Sequence, residues 1–211
     1  MACELPRFII RCTFCKQGRL AMLSHLEVAC ALERAVRRAN LPFGISQGFS
    51  PHMLLHFGAA LPVGVGGTCE IFDLTLREYM APDKVLEALQ KASVPDLMVL
   101  ECTYIDKKAK AASIAYPIST YLVRFTDSAE GLVFPETVTV VRKKKEKTLV
   151  VSEFLVGELQ IKGNAALFSL EAKQTGSLRP DRLLEAALAD FNATREGDPL
   201  AIVSCTRVAQ R

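Results

Sequence analysis

Tryptophan is absent from this 211-residue chain, histidine occurs only three times, and long apolar runs are missing. No stretch reaches the roughly 18 uninterrupted apolar residues that a membrane-spanning helix needs, so we expect no contact with a membrane. The first residues, MACELPRFIIRCTFC, carry an early acidic residue and no cleavage-site pattern, which argues against a signal peptide. Together these absences predict a cytoplasmic protein.

The chain also lacks the patterns of the common catalytic and nucleotide-binding classes. The glycine-rich stretch LPVGVGG has no lysine followed by serine or threonine, and it lies between two predicted strands rather than before a helix. No serine–histidine–aspartate, kinase or dinucleotide-binding pattern occurs. The net charge excludes few classes of protein, because 26 basic and 23 acidic residues give a value of only +3. That value permits nucleic-acid binding without demanding it.

Cysteine is present, with seven residues, but without a pattern that would bind metal or form a disulfide framework. Cys12 and Cys15 form a C-x-x-C motif, yet a zinc site of this kind needs a second pair, and none exists. Residues three apart on a strand point to opposite faces, so the two thiols should diverge. We therefore expect reduced, mostly buried thiols and neither a metal nor another cofactor.

Half of the residues are hydrophobic, which is enough for a sizeable core, and their order contains an internal repeat. APDKVLEALQKA at 81–92 aligns with RPDRLLEAALAD at 179–190. Each stretch follows an alternating apolar segment and leads to another apolar segment that ends in Cys-Thr. Three matches in the same order predict a duplicated strand–helix–strand unit.

The first half extends this unit to the order β-α-β-β-α-β, with strands predicted at 7–15, 52–61 and 68–76. In the second half the first helix is missing, and a hairpin candidate stands in its place. The expected fold class is therefore α+β, with tandem ferredoxin-like domains over 1–108 and 114–211, the second degenerate.

The first predicted helix begins with candidate functional residues. Ser24 and Glu27 form an S-x-x-E capping box. His25 occupies the first turn, where the helix dipole favours a neutral imidazole able to act as a general base. The simpler interpretation is that His25 only helps to begin the helix. His52 and His56 are expected on one face of a strand, and whether the three histidines converge stays open.

The stretch GISQGFSPH at 44–52 has the composition of a preorganised turn. Gly48 permits a positive φ, Pro51 restricts both itself and Ser50, and Phe49 is expected to pin the loop to the core. Polar loops on a rigid frame are where binding concentrates. The side chains expected to face a partner are Gln47, Ser50 and His52, and the candidate binding residues of the loop also include Ser46, Gly48 and Phe49. The simpler alternative for His52 is that it orders its own loop.

Positive charge is concentrated in two places. RKKKEK, between two apolar segments, predicts the charged tip of a hairpin, and Arg37 and Arg38 lie near the end of the first helix. Clustered cations displace the counterions of a nucleic-acid backbone. A solvated tip that protects the strand edges is the simpler interpretation of the run. The candidate contacts in the hairpin are Arg142, Lys143, Lys144 and Lys145.

The blocks LSHLE, LERAVRRANLP, SQGFSPH and LPVGV resemble those of a bacterial radical-SAM-linked family. That family is a domain of unknown function fused to, or encoded beside, cobalamin-binding radical SAM proteins. The resemblance covers most of the first half and implies a radical SAM protein as partner, acting on RNA such as tRNA or rRNA. The matching positions are Ser24, His25, Arg37, Arg38, Ser46, Gln47, Gly48, Phe49, Pro51, His52, Gly64 and Glu70.

Three hypotheses follow from these patterns. The leading one is a non-catalytic recognition module that binds RNA and works with a radical SAM enzyme. The second is a metal-independent endoribonuclease-like enzyme with His25 as general base. The third is a protein–protein adaptor that touches no nucleic acid.

Overall fold

The structure is a computed structural model that describes residues 7–142, 145–173 and 175–211. The chain divides into two units, Met1–Tyr116 and Pro117–Arg211. No helix in the described part of the chain is long and apolar enough to cross a bilayer.

Alternating apolar residues form the strands of the first unit. The elements in chain order are β1 (Phe8–Lys16), α1 (His25–Arg38), β2 (Leu55–Phe57), β3 (Val65–Leu76), α2 (Pro82–Ala92), β4 (Val99–Ile105) and the short α3 (Ala112–Ala115). In β1, Ile10, Cys12 and Phe14 point to one face and are buried. The sheet order is β4-β1-β3-β2, and every neighbouring pair is antiparallel.

Two amphipathic helices complete the core of the first unit. Val28, Leu32 and Val36 recur at four-residue spacing on α1, and Val85 and Leu89 do so on α2. All five side chains are at most 5% exposed. They form one apolar cluster with the inward residues of the strands. The helices therefore cover one face of the sheet.

The other face of this sheet carries a buried ion pair. Arg11 of β1 is the register partner of Asp73 of β3, and its Nε and Nη2 donate to the two carboxylate oxygens at 2.7 and 2.8 Å. Nη2 also donates to the Lys110 carbonyl at 2.9 Å, and the guanidinium carbon lies 5.4 Å from the centroid of the Tyr116 ring. Arg11 thus contacts both Asp73 of the sheet and the segment after β4.

The second unit has the same strand order without the first helix. The elements are β5 (Ile118–Phe125), β6 (Thr137–Arg142), β7 (Lys145–Val150), β8 (Leu155–Lys162), β9 (Ala165–Glu171), α4 (Pro180–Thr194) and β10 (Ile202–Gln210). The sheet of this unit runs β10-β5-β9-β8 with antiparallel neighbours, and β6 and β7 form a separate hairpin. Phe125, Phe168 and Leu183 are buried in its core.

The α+β class predicted from the sequence is confirmed. The repeated helices begin at Pro82 and Pro180, where a missing N–H is tolerated, and the β6–β7 hairpin takes the place of α1 in the order of the second unit. One strand prediction is wrong in extent. The strand expected over 52–61 is only Leu55–Phe57, because only these residues pair with β3. His52 therefore lies before the strand rather than on it.

Candidate functional site

The start of α1 has the geometry that its sequence predicts. Ser24 is the N-cap, and its Oγ accepts a hydrogen bond from the Glu27 N–H at 3.4 Å. The Glu27 carboxylate accepts from the Ser24 hydroxyl at 2.7 Å and from the Ser24 N–H at 2.8 Å. These two hydrogen bonds, the hydroxyl's first, lower the pKa of Glu27, because they favour its charged form. The capping box is confirmed.

His25, the first residue of α1, lines a small pocket in the first unit. Its ring meets the Phe57 ring edge to face, with centroids 5.2 Å apart. The cavity volume is about 20 Å³, which is room for one water molecule. Phe14 contributes to its apolar wall, and Lys16 and Glu70 contribute two charged side chains.

Lys16 and Glu70 are buried, at 2% and 5% exposure. The Lys16 ammonium donates to the Val65 carbonyl at 3.3 Å. Gly67 lies against Glu70, and a Cβ at this position would stand 2.7 Å from the carboxylate carbon, so only glycine fits without displacing that side chain. Sequence reasoning included Glu70 through the family resemblance but missed Lys16. The available signal was a lysine directly after the apolar pair Phe14 and Cys15 at the end of the strand FIIRCTFCK.

The three histidines have separate surroundings. His25 lines the pocket, whereas neither His52 nor His56 contributes to its wall. His56 is exposed on β2 as the register partner of Asp73. The lining of the pocket therefore includes one imidazole and two buried charged side chains.

The loop 46–52 is closed at its base by Ser46 and His52. The Ser46 N–H donates to the His52 carbonyl at 2.8 Å, and the His52 N–H donates to Ser46 Oγ at 3.0 Å. His52 Nδ1 lies 2.8 Å from Ser46 Oγ and 3.3 Å from the Ser50 carbonyl oxygen. Gly48 has a φ of 138°, which side chains disfavour. His52 thus orders its own loop, while Gln47, Gly48, Ser50 and Pro51 are exposed.

The expectation that Phe49 pins this loop to the core is wrong, because the Phe49 side chain is fully exposed. The chain is anchored from the base of the loop instead. Ile45 pairs with Met53 in an isolated bridge, Met53 is buried, and the Leu54 N–H donates to the Gly44 carbonyl at 2.9 Å. A single aromatic ring therefore stands in solvent on a loop held at its base.

The last turn of α1 carries two arginines with different surroundings. The guanidinium carbon of Arg37 lies 5.6 Å from the centroid of the Phe43 ring, in the segment that leads into the loop. Its Nη2 is 3.6 Å from the Glu33 carboxylate. Arg38 Nη2 donates to the carbonyl of Ala92, the last residue of α2, at 2.7 Å. The two arginines at the C-terminal end of α1 thus contact Phe43 and α2.

The basic hairpin is only partly described. Its strands exist as predicted, with β6 ending at Arg142 and β7 beginning at Lys145. Lys143 and Lys144 lie outside the described residues. The next lysine, Lys147, donates to the Thr175 carbonyl at 3.3 Å.

Four of the described cysteines, Cys12, Cys15, Cys102 and Cys205, are buried free thiols. Cys12 Sγ lies 3.3 Å from Cys102 Sγ across two strands, whereas Cys15 Sγ donates to the Pro95 carbonyl at 3.6 Å. The hydrogen bond with Cys102 and burial raise the pKa of Cys12. Cys12 and Cys15 are both buried and diverge, as predicted. Within the described ranges, no group of three or more histidine, cysteine, aspartate or glutamate side chains is placed to hold a metal ion.

Fold and site together define a two-unit α+β protein with an exposed aromatic residue on a loop closed at its base, and an arginine of the α1 C-terminal turn packed on Phe43, three residues before that loop. The chain belongs to the family described as "Uncharacterized protein conserved in bacteria (DUF2344)", whose model matches residues 9–180. The match extends from β1 to the first residue of α4. A comparison with curated proteins found no match.

Proposed function

We propose that this protein is a non-catalytic recognition module that binds unpaired RNA through the loop 46–52 and the arginine end of α1. The fully exposed Phe49 ring carries the proposal. Proteins that read single-stranded RNA stack its bases on exposed aromatic rings, and each such contact contributes about 1–3 kcal/mol. An aromatic ring that does not pack into its own core is otherwise an unused apolar surface.

The surroundings of Phe49 suit such a ligand. Gln47 and Ser50 are exposed on the same loop and can donate and accept hydrogen bonds at base edges. Arg37 and Arg38 place two permanent positive charges at the end of α1, where they can neutralise phosphates. The hydrogen bonds between Ser46 and His52 hold the base of the loop, so less ordering is required on binding.

A radical SAM enzyme is the proposed partner. This part of the proposal is supported by the resemblance of blocks such as LSHLE and SQGFSPH to radical-SAM-linked proteins. In this arrangement the module holds the RNA, and the partner carries out the reaction. Co-purification of such an enzyme from cells, with RNA present before nuclease treatment, is the expected result.

The direct test is binding of a fluorescently labelled oligouridine of about 12 nucleotides, within the site sizes of single-strand-binding folds. Fluorescence anisotropy should show binding that weakens steeply with salt. Phe49→Ala should weaken it by about 5- to 150-fold, which corresponds to the loss of one stacked base. Val133→Ala, which truncates an exposed apolar side chain of the second unit, is the control and should bind as wild type. The proposal would be overturned if the wild-type protein showed no detectable binding, or if Phe49→Ala bound the oligonucleotide with wild-type affinity.

Catalysis at His25 is the second candidate, and the pocket shared with Lys16 and Glu70 favours it. If His25 is a general base in RNA cleavage, His25→Ala should abolish turnover and leave the affinity for the oligonucleotide unchanged. The adaptor hypothesis makes the opposite prediction for RNA. Partner capture that persists after nuclease treatment, with no RNA retained by the wild-type protein, would favour it.

A further inference from the structure

A groove of about 280 Å³ runs between the end of α1 and the exposed face of α2 in the first unit. None of the candidate contacts on α2 was identified from the sequence. The groove is lined by Arg38, Ala39, Lys84, Glu87, Ala88 and Lys91.

The groove has an excess of positive charge, with three cations and one carboxylate. Lys84 and Lys91 are seven residues apart on α2, so they share one face of the helix and are separated by about 10 Å along its axis. Glu87 lies between them, 3.6 Å from the Lys84 ammonium and 2.7 Å from that of Lys91. Both lysine side chains remain more than 70% exposed, so an incoming anion can reach them.

Arg38 closes one side of the groove in a defined position. The Ala92 carbonyl accepts one of its five guanidinium N–H groups at 2.7 Å. This contact joins the end of α1 to the end of α2. Arg37, one residue earlier, lies against Phe43 at the entry to the loop 46–52. The last turn of α1 therefore contributes one arginine to the groove and one that packs on Phe43, three residues before the loop.

We infer that this groove binds the phosphate backbone of a single-stranded RNA, with Arg38, Lys84 and Lys91 as the contacts. The inference rests on the proposed function for its ligand and adds a second, sequence-independent site to the base-stacking loop. The groove brings cations from two helices to one concave surface. Several separated cations suit a ligand with several phosphates better than a ligand with one negative charge. In the free protein Glu87 pairs with both lysines. It therefore competes with phosphate and lowers the affinity of the groove for RNA.

The first test removes two groove cations. For the labelled oligouridine, Lys84→Ala/Lys91→Ala should reduce the slope of log affinity against log salt by about 1.4, or about 0.7 for each lost phosphate contact. At about 0.15 M salt this corresponds to roughly tenfold weaker binding. Lys107→Ala/Lys108→Ala removes the same charge from exposed lysines of the same unit outside the groove, and its slope should stay near that of wild type.

The second test removes the competing carboxylate. Glu87→Gln should tighten binding by about threefold, because both lysines lose an exposed intramolecular ion pair. Glu185→Gln is the matched control. Glu185 is an exposed helical glutamate of the second unit that pairs with Arg182 at 2.7 Å, and its substitution changes the net charge equally. A larger gain for Glu87→Gln than for Glu185→Gln supports a local effect in the groove.

The outcomes separate this inference from the proposed function. If Phe49→Ala weakens binding but the groove variant and its lysine control behave alike, the groove inference is wrong and the loop proposal stands. If the salt slope of the groove variant falls below that of its lysine control while Phe49→Ala binds normally, the groove is supported and the loop proposal is wrong. Equal gains for the two glutamine variants would count against the groove. Absence of any wild-type binding overturns both.

Discussion

Replacing Asp73 by asparagine should destabilise the first unit, because the change leaves Arg11 buried without its counterion. The two side chains are only 7% and 13% exposed, and they share two hydrogen bonds of 2.7 and 2.8 Å. Removing one partner of a buried pair typically costs about 3–5 kcal/mol. Arg11 keeps its bond to the Lys110 carbonyl at 2.9 Å and a long one to the Tyr116 hydroxyl at 3.5 Å. The loss should therefore lie near the lower limit, about 3 kcal/mol.

Deprotonation of Arg11 cannot relieve this loss. The hydrogen bond with Asp73 raises the pKa of Arg11 further above its already high ordinary value, and without Asp73 the guanidinium is still charged at neutral pH. A domain of this size is stable by about 5–15 kcal/mol, so 3 kcal/mol is a large fraction of the total. Urea denaturation followed by circular dichroism measures the change. Limited trypsinolysis after Lys107, Lys108 and Lys110 should also accelerate, because Arg11 contacts that segment and is held less firmly without the Asp73 carboxylate.

Two further variants make the reasoning refutable. Asp181→Asn breaks a bidentate Arg–Asp pair of the second unit whose side chains are 56% and 31% exposed, and it should cost no more than about 1 kcal/mol. Arg11→Met/Asp73→Leu removes both buried charges and should recover most of the loss. A change below about 0.5 kcal/mol for Asp73→Asn, the size of an ordinary surface substitution, would show that the pair does not behave as buried.

Other predictions concern the capping box, a strand glycine and the thiols. Ser24→Ala should lower the free energy of unfolding by about 1 kcal/mol in chemical denaturation. Because the pKa of Glu27 is lowered, its stabilisation is present above the ordinary glutamate value near 4.3 and is lost as pH falls through the folded value. Thermal unfolding of Glu27→Gln across acidic pH should lack this component. Gly67→Ala should destabilise by about 1–3 kcal/mol, since its Cβ would meet a buried carboxylate. Burial raises the pKa of Cys205 to about 12, so iodoacetamide at neutral pH should modify exposed Cys30 much faster. Equal rates by peptide mass spectrometry would contradict this.

Local chemistry made much of the fold predictable. The capping box of Ser24 and Glu27 depends on residues three apart, and Pro82 and Pro180 mark helix starts through their missing N–H groups. The order of alternating and helical segments likewise predicted an α+β fold with a repeated pattern. The extent of β2 was not predictable in this way, because strand length is decided by which residues find partners on β3.

The candidate site was less predictable, because solvent exposure is not a local property. The sequence predicted that Phe49, between Gly48 and Ser50, anchors the loop. In the structure Met53 is buried instead, and Phe49 is fully exposed. Lys16 reads as the end of a strand, but it is buried in the pocket that His25 lines.

The sequence by itself determined the class of fold, the starts of the three long helices and the basic residues at the C-terminal end of α1, since these depend on neighbours within one or two turns. Only the tertiary structure decided which charges meet. Arg38, Lys84 and Lys91 come from helices separated by more than 40 residues, and chain folding alone brings them to one groove. Burial and charge proximity depend on every element packed around a residue, and that information is not contained in any short stretch of the chain.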